Sequence, residues 1–320
     1  RLRPCRAASA CYHADVRLRP FLKWVGGKRQ LLPELRRHYP ASFRRYHEPF
    51  VGSGAVFFDL AADRRLTDAG ARLSDDNPDL IACYRAVASR LAEVIQALEP
   101  LAAGHAGQGR DFYLHVRDQQ FNPMRAAWRR SGGAIEDYPI DLVAMLIYQN
   151  RTGYNGLFRL NASGQYNVPP GRYDSPRVLN TSLLTRAAAV LGEFAAAIDC
   201  APFDDVGQHA REGDFVYFDP PYAPLSKTAN FRSYTRRGFT TDDQWRLQQL
   251  LIELARRGVS VLLSNSVAPS ISALYEGDAD VAAAGLRTWR VPARRSVNSR
   301  PDRRGTVEEL IVSNVIPHDR

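Results

Sequence analysis

The feature that most constrains this chain is Asp219-Pro220-Pro221-Tyr222, which ends the apolar run Phe215-Val216-Tyr217-Phe218. The run is β-branched and aromatic, as a strand is, and Gly213-Asp214 marks the turn before it. Two consecutive prolines then stop the strand, because neither can donate to a ladder and both fix φ. An acidic side chain, two exposed backbone carbonyls and an aromatic ring are thereby gathered at a strand's carboxyl end. In open α/β sheets ligands bind at that end.

A second turn points the same way. Glu48-Pro49-Phe50-Val51-Gly52-Ser53-Gly54 runs into the helical stretch Ala55 to Ala62, the opening of a nucleotide-binding βαβ unit. The third glycine of the dinucleotide fingerprint is missing, so no pyrophosphate cradle is implied. About 20 residues on, a strand Ala71-Arg72-Leu73-Ser74 ends in Asp75-Asp76-Asn77-Pro78, where such units place an acid on ribose hydroxyls. Ribose without pyrophosphate points to a nucleoside ligand. Upstream, Phe21-Leu22-Lys23-Trp24-Val25-Gly26-Gly27-Lys28 turns at its glycine pair, leaving Trp24 and Lys28 near whatever approaches that loop. A helix is predicted after it, Gln30 to Tyr39, with Pro33 in its first turn.

Residues 79 to about 180 interrupt the βαβ rhythm. Asp79 to Leu101 has helical period, with Leu80, Tyr84, Val87, Leu91, Val94 and Leu98 on one face. A glycine-rich gap at 104–109 precedes Phe112 to Arg130, and a further helix is predicted from Ile140 to Asn150. From Asn150 to Tyr173, glycine turns, amides, arginines and aromatics alternate. They do so in a hairpin that reads base edges, though composition alone favours a solvated one slightly. The α/β pattern then resumes. A helix is predicted over Leu183 to Ala197, and a strand from Ala197 to Phe203 ends at Asp204-Asp205. Next come a helix from Thr240 to Arg257 capped by Thr241 or Asp242, and a buried strand Val259 to Asn265. Strands at 288–292 and 307–314 flank a basic loop, Arg294–Arg304.

The chain has 320 residues, 45% hydrophobic and 24% charged, the balance of a soluble globular protein, with no apolar run long enough to span a bilayer. A net charge of +9, mostly arginine, favours a polyanionic partner such as nucleic acid. The arginines at 125–130 and 294–304 are read as phosphate contacts or, equally, a solvated charged face. Cys5, Cys11, Cys83 and Cys200 have no metal-like spacing, so no metal site and a reduced interior are expected.

In this order, these motifs resemble those of the DNA adenine methyltransferase (Dam) family. The matching stretches are residues 21–28, 48–54, Asp75 with Asn77-Pro78-Asp79-Leu80, residues 150–157, 219–226 and 304–310. The resemblance implies a doubly wound, Rossmann-like class I methyltransferase sheet with an inserted, mostly helical DNA-recognition domain. Residues 20–78 and 180–320 would form the catalytic domain, 79–179 the insert, and 1–19 a poorly ordered extension. It implies S-adenosylmethionine as cofactor, contacted by Trp24, Lys28, Phe50, Gly52, Gly54, Asp75 and Asp219. Asp205 is expected at its adenine, with Asp204 as the competing choice. It implies Tyr154, Asn155, Leu157 and Arg159 as intercalating and base-reading residues, with Arg172, Tyr173 and Lys23 nearby and a GATC-like target. The expected partner is double-stranded DNA, without metal or membrane, with a monomer acting in the cytoplasm at the nucleoid. Thr152, Phe158 and the 294–304 loop depart from the family pattern.

The chemistry explains the motif. An adenine amine is a poor nucleophile because its lone pair is delocalised into the ring. Asp219 and the Pro220 carbonyl can both accept its hydrogens and concentrate that lone pair, Pro221 adds no competing donor, and Tyr222 offers a stacking face for a flipped base. Cytosine in DNA, adenine in RNA and a catalytically silent DNA-binding relative are the competing readings. Serine in place of Asp219 would be expected for cytosine, and a silent copy has no need of Asp219, Lys28 and Asp75 together.

Overall fold

The computed structural model describes residues 18–24, 26–222, 239–294 and 306–318. The expected extension before residue 18, the motif's continuation at 223–226 and the loop beyond Arg294 therefore lie outside the described residues. Among the described residues, short apolar runs pair into one sheet of seven strands. These are β1 (Tyr46–Glu48), β2 (Ala71–Asp75), β3 (Ala195–Cys200), β4 (Phe215–Phe218), β5 (Ser260–Ser266), β6 (Arg287–Arg294) and β7 (Thr306–Ser313). Their order across the sheet is β3-β2-β1-β4-β5-β7-β6, parallel except for β7, which runs antiparallel to β5 and β6.

Strand alternation decides which face each side chain covers. On β4, Phe215 and Tyr217 join one core with Tyr46, Ala71, Leu73, Leu262 and Ile311. Val216 and Phe218 join the other with Val261, Leu263, Leu310 and Val312. On that second face β1 to β3 contribute His47, Arg72, Ser74 and Asp199 instead, a polar strip paired as His47–Asp214 (3.0 Å) and Arg72–Asp199 (2.8 Å). Burial outweighs the Asp214 contact at His47 and lowers its pKa, so the ring is neutral at pH 7.

Helix α1 (Leu32–Leu35) lies before β1, flanked by single 3₁₀ turns, where one longer helix was predicted. Helix α2 (Ala55–Ala62) has the predicted bounds and leads to β2. The crossover from β2 to β3 then contains α3 (Pro78–Ser89), α4 (Leu91–His115), α5 (Asn122–Arg130), α6 (Ile140–Thr152) and α7 (Thr181–Phe194), and so the whole of the expected insert at 79–179. Helix α3 starts at Pro78 under an Asn77 cap and packs on β2 and β3, so the predicted domain break at 78/79 falls inside its first turn. The expected gap at 104–109 is instead helical up to Gly109, where φ of 51° breaks the run. Helix α7 ends three residues early and β3 starts at Ala195, leaving Asp204 and Asp205 in the 3₁₀ turn that follows it. Helix α8 (Val206–His209) succeeds that turn, and α9 (Thr241–Arg256) is capped by Thr240, with Asp243 completing a capping box. Neither residue expected to cap it does so. Among the described residues no helix is long and apolar enough to cross a membrane.

Arg125 corrects another expectation. Far from facing phosphates, its guanidinium is buried and holds both Asp79 carboxylate oxygens at 2.7 Å, while Nη1 donates to the Gly164 carbonyl at 2.8 Å. The Tyr138 hydroxyl donates to the same carboxylate. Arg129 and Arg130 are exposed. Because cutting one partner strands a buried charge, Arg125→Ala should destabilise the fold by about 3–5 kcal/mol in urea titrations. Replacing Arg125 and Asp79 together by apolar residues should lose less.

Candidate active site

The sheet order reverses between β1 and β4, and the two motif turns leave the carboxyl ends of these adjacent strands. After β1, Gly52 and Gly54 both take positive φ (45° and 66°). At Gly54 a Cβ would stand 2.8 Å from the Tyr84 hydroxyl, so only glycine lets the chain pass this close to α3. The Gly52 N–H donates to Asp75 Oδ2 at 3.2 Å, and the Asn77 N–H to Asp75 Oδ1 at 3.1 Å. The glycine turn and the acid ending β2 thus form one cradle. Burial, then the neighbouring Asp76 carboxylate, raise the Asp75 pKa.

After β4, Asp219 Oδ1 meets Lys28 Nζ at 2.7 Å, with Lys28 only 5% exposed. Burial pushes the Asp219 carboxyl up, and Lys28 opposes it, leaving it at about 6. Lys28 also donates to the Gly26 carbonyl (2.7 Å) and lies 4.6 Å from the centre of the Tyr222 ring. Glu48, buried at the end of β1, is pushed up to about 8 by its burial, so it is largely a neutral acid at pH 7. It is held by the Tyr46 hydroxyl and the Phe57 N–H. Of the two carbonyls expected to be exposed, Pro221's accepts from Gln244 Nε2 at 3.2 Å, itself fixed by Asn265. Among the described residues nothing donates to the Pro220 carbonyl.

The predicted aromatic residues lie in two groups. Trp24 is half-buried, touches the Gly52 turn, and stacks on Phe158 at 5.7 Å and 20°. Phe50 stacks on Phe203 at 5.5 Å, with Phe239 packed edge-on against both. Asp205 pairs with His209 at 3.1 Å and lines a polar cavity with His47, Arg72 and Asp199, while Asp204 holds Arg246.

On the insert, Gly153 to Gly171 folds back on itself through bridges at Gly153–Pro170 and Leu160–Tyr166. Tyr154 and Asn155 stand exposed at one bend, Asn155 with a φ of 54° that non-glycine residues rarely adopt. Leu157 is half-buried; Arg172 and Tyr173 are exposed, and Lys23 Nζ lies 4.6 Å from the Tyr173 ring centre. Arg159 gives Nε to Asn167 Oδ1 at 2.7 Å and Nη2 to the Asn167 carbonyl. Asn150, part of a quoted motif but assigned no role from sequence, bolts the two regions together. Its Oδ1 accepts from the Lys23 N–H at 2.9 Å, and its Nδ2 donates to the Lys23 and Gly156 carbonyls at 2.6 and 3.0 Å. Gly156 has to be glycine, since a Cβ there would lie 2.5 Å from that of Lys23.

A sheet of this order, with a glycine turn after its first strand and an acid-Pro-Pro-Tyr turn after its fourth, is the class I methyltransferase fold. The chain belongs to the D12 class N6 adenine-specific DNA methyltransferases, whose family model matches residues 24–288. It is 35% identical over 300 residues to the type II methyltransferase M1.LlaDCHI of Lactococcus lactis subsp. cremoris, covering 93% of this chain and 96% of that one. To the DNA adenine methylase of Vibrio cholerae it is 36% identical over 294 residues (92% and 95%), and to that of Escherichia coli strain K12 34% over 293 (92% and 94%). The chain is therefore an enzyme that methylates N6 of adenine in DNA, and its reaction consumes a methyl donor.

The Lys28 contact predicts a titration. Asp219 in the folded protein should titrate near 6 by carboxyl-carbon NMR. Lys28→Met removes the charge that favours the carboxylate, so the midpoint should move upward.

Proposed function

We propose that this enzyme takes its methyl group from S-adenosylmethionine and places it on an adenine flipped out of a GATC-like site in duplex DNA. The observation that carries the reading is the Asp219 carboxylate beside a Pro220 carbonyl to which no described residue donates, at the sheet's reversal point where the glycine turn leaves the neighbouring strand β1.

The cradle suits the cofactor. The Asp75 carboxylate spends acceptor positions on the Gly52 and Asn77 N–H groups and lies beside the Asp76 carboxyl, and its remaining capacity is what a ribose diol would take. Trp24, Lys28, Phe50, Gly52, Gly54, Asp75 and Asp219 are the residues that would hold it, with Asp205 assigned to its adenine. When bound, it supplies an electrophilic methyl group on a sulfonium leaving group. Everything else falls to the chain. Asp219 and the Pro220 carbonyl each accept one hydrogen of the amine, which draws its lone pair out of the ring. A held geometry of this kind is worth up to roughly 7–11 kcal/mol of the barrier. The amine becomes far more acidic once it carries the methyl group, and its proton then passes to Asp219. The Tyr222 face receives the base outside the stack, where the flipping costs a few kcal/mol.

The recognition surface follows from the exposed bend. Tyr154 is placed to fill the vacated stack, with Asn155, Leu157, Lys23, Arg172 and Tyr173 around it. Asn167 takes the Nε edge of Arg159, which leaves the terminal Nη1–Nη2 edge to pair with guanine O6 and N7.

Labelled methyl transfer to duplex DNA, followed by sequencing of the modified sites, tests this reading. The label should enter DNA at GATC, and Asp219→Ala should lower the rate by about 10²–10⁴-fold. Absence of transfer with cofactor bound refutes the reaction, and modification at other sequences refutes the target alone. Because Asp219 must accept as a carboxylate, the rate should be full above about pH 7 and fall as pH drops through about 6. Arg159→Ala should relax discrimination at its guanine by about 1–3 kcal/mol.

A further inference from the structure

The Tyr222 ring is held at two points. Lys28 lies over one face, and the Tyr222 hydroxyl donates to Glu309 Oε2 at 2.7 Å. Glu309 belongs to β7, paired with Ser266 at the carboxyl end of β5 and with Val291 of β6. Because β7 runs antiparallel, this early position on the strand reaches the end of the sheet where β4 delivers Asp219. Glu308 beside it is exposed and faces Arg290. Glu309 is half-buried, and among the described residues no lysine, arginine or histidine pairs with it. A partly desolvated carboxylate without a cation is unfavourable unless a hydrogen bond supports it. Here the donor is a side chain of the site.

We infer that Glu309 is a positioning residue: through the Tyr222 hydroxyl it fixes the ring on which the target base stacks. The inference rests on the reading of Tyr222 given under Proposed function. Tyr222 follows two prolines, so the backbone entering it is stiff while its ring keeps two rotatable bonds. Glu309 fixes the ring's outer end and Lys28 covers one face, which leaves the opposite face for a base. Glu309 also places a second negative charge near Asp219, opposing the effect of Lys28 there.

Two measurements on the full chain test this. In DNA-free protein carrying ¹³C at Cζ and Cε of its tyrosines, Glu309→Ala should shift the Tyr222 Cζ signal and speed the exchange of its two Cε signals by ring flips. Glu309→Gln, which keeps an acceptor oxygen, should restore most of the parent behaviour. An unchanged Tyr222 signal overturns the inference whether or not methyl transfer is seen, which separates its failure from failure of the reaction. In single-turnover transfer at saturating DNA, Glu309→Ala should slow the step by about 10- to 100-fold, the effect of a hydrogen bond to a charged group. Cofactor affinity and melting temperature should stay at parental values, and Gln should recover most of the rate. With Tyr222→Phe as background, Glu309→Ala should add no further loss. Losses that multiply in the double variant, or a parental rate in Glu309→Ala, overturn it.

Discussion

The buried contact between Lys28 and Asp219 holds this site in place. It joins the loop before β1 to the turn after β4, two segments that share no strand pairing, and it does so at the point where the sheet order reverses. Such a pair is weak support for stability, because removing two charges from water offsets most of their attraction. Its value here is chemical. Burial alone would raise the Asp219 carboxyl further above the ordinary carboxylate range, and a protonated acid is a poorer acceptor for the one amine hydrogen proposed for it. The ammonium at 2.7 Å holds it at about 6, so that it is a carboxylate at neutral pH. Glu48, which pairs with no cation among the described residues, shows the alternative outcome a strand away, pushed up to about 8.

From this pair the rest of the assembly can be traced through backbone contacts. Lys28 sits on the turn that also carries Lys23 and Trp24. Asn150 grips Lys23 by both its N–H and its carbonyl and, with the same amide group, grips Gly156 of the exposed bend. Trp24 lies between the glycine turn and Phe158 of the insert. The expected separation of sheet and insert is therefore bridged by the loop before β1, and one apolar core runs through both.

The parts that were legible from sequence are those where the backbone leaves little choice. Paired prolines after an apolar run can only end a strand, and glycines at 52 and 54 mark the positive φ angles that the turn requires. Boundaries were lost where composition is uniform: Ala187 to Ala197 is alanine-rich, so nothing in it signals the change from α7 to β3 at Ala195. Partners distant in sequence were lost too. Arg125 reads as one of several surface arginines until Asp79, 46 residues earlier, is placed against it. Glu309 lies 87 residues from the hydroxyl it accepts from, and Gln244 occupies a carbonyl that the motif alone leaves open.

The location of the insert explains how the cradle around Asp75 and the hairpin at Tyr154 are kept in register. It lies in the crossover from β2 to β3, so its first helix starts two residues after the acid pair that ends β2. Asp75 accepts the Asn77 N–H, Asn77 caps α3, and Asp79 in the first turn of α3 holds Arg125, which reaches the Gly164 carbonyl in the hairpin. Each link is a hydrogen bond, and the Asp79–Arg125 link is buried. A crossover is anchored to the sheet at both ends, so a shift of the hairpin has to be absorbed along this chain or along the Asn150 clamp. One route starts at Asp75, which accepts the Gly52 N–H, and the other at Lys23, next to the Trp24 that touches Gly52. Together they fix the bend at Tyr154 relative to Asp219 more tightly than either does alone, as the proposed delivery of a flipped base to one carboxylate requires.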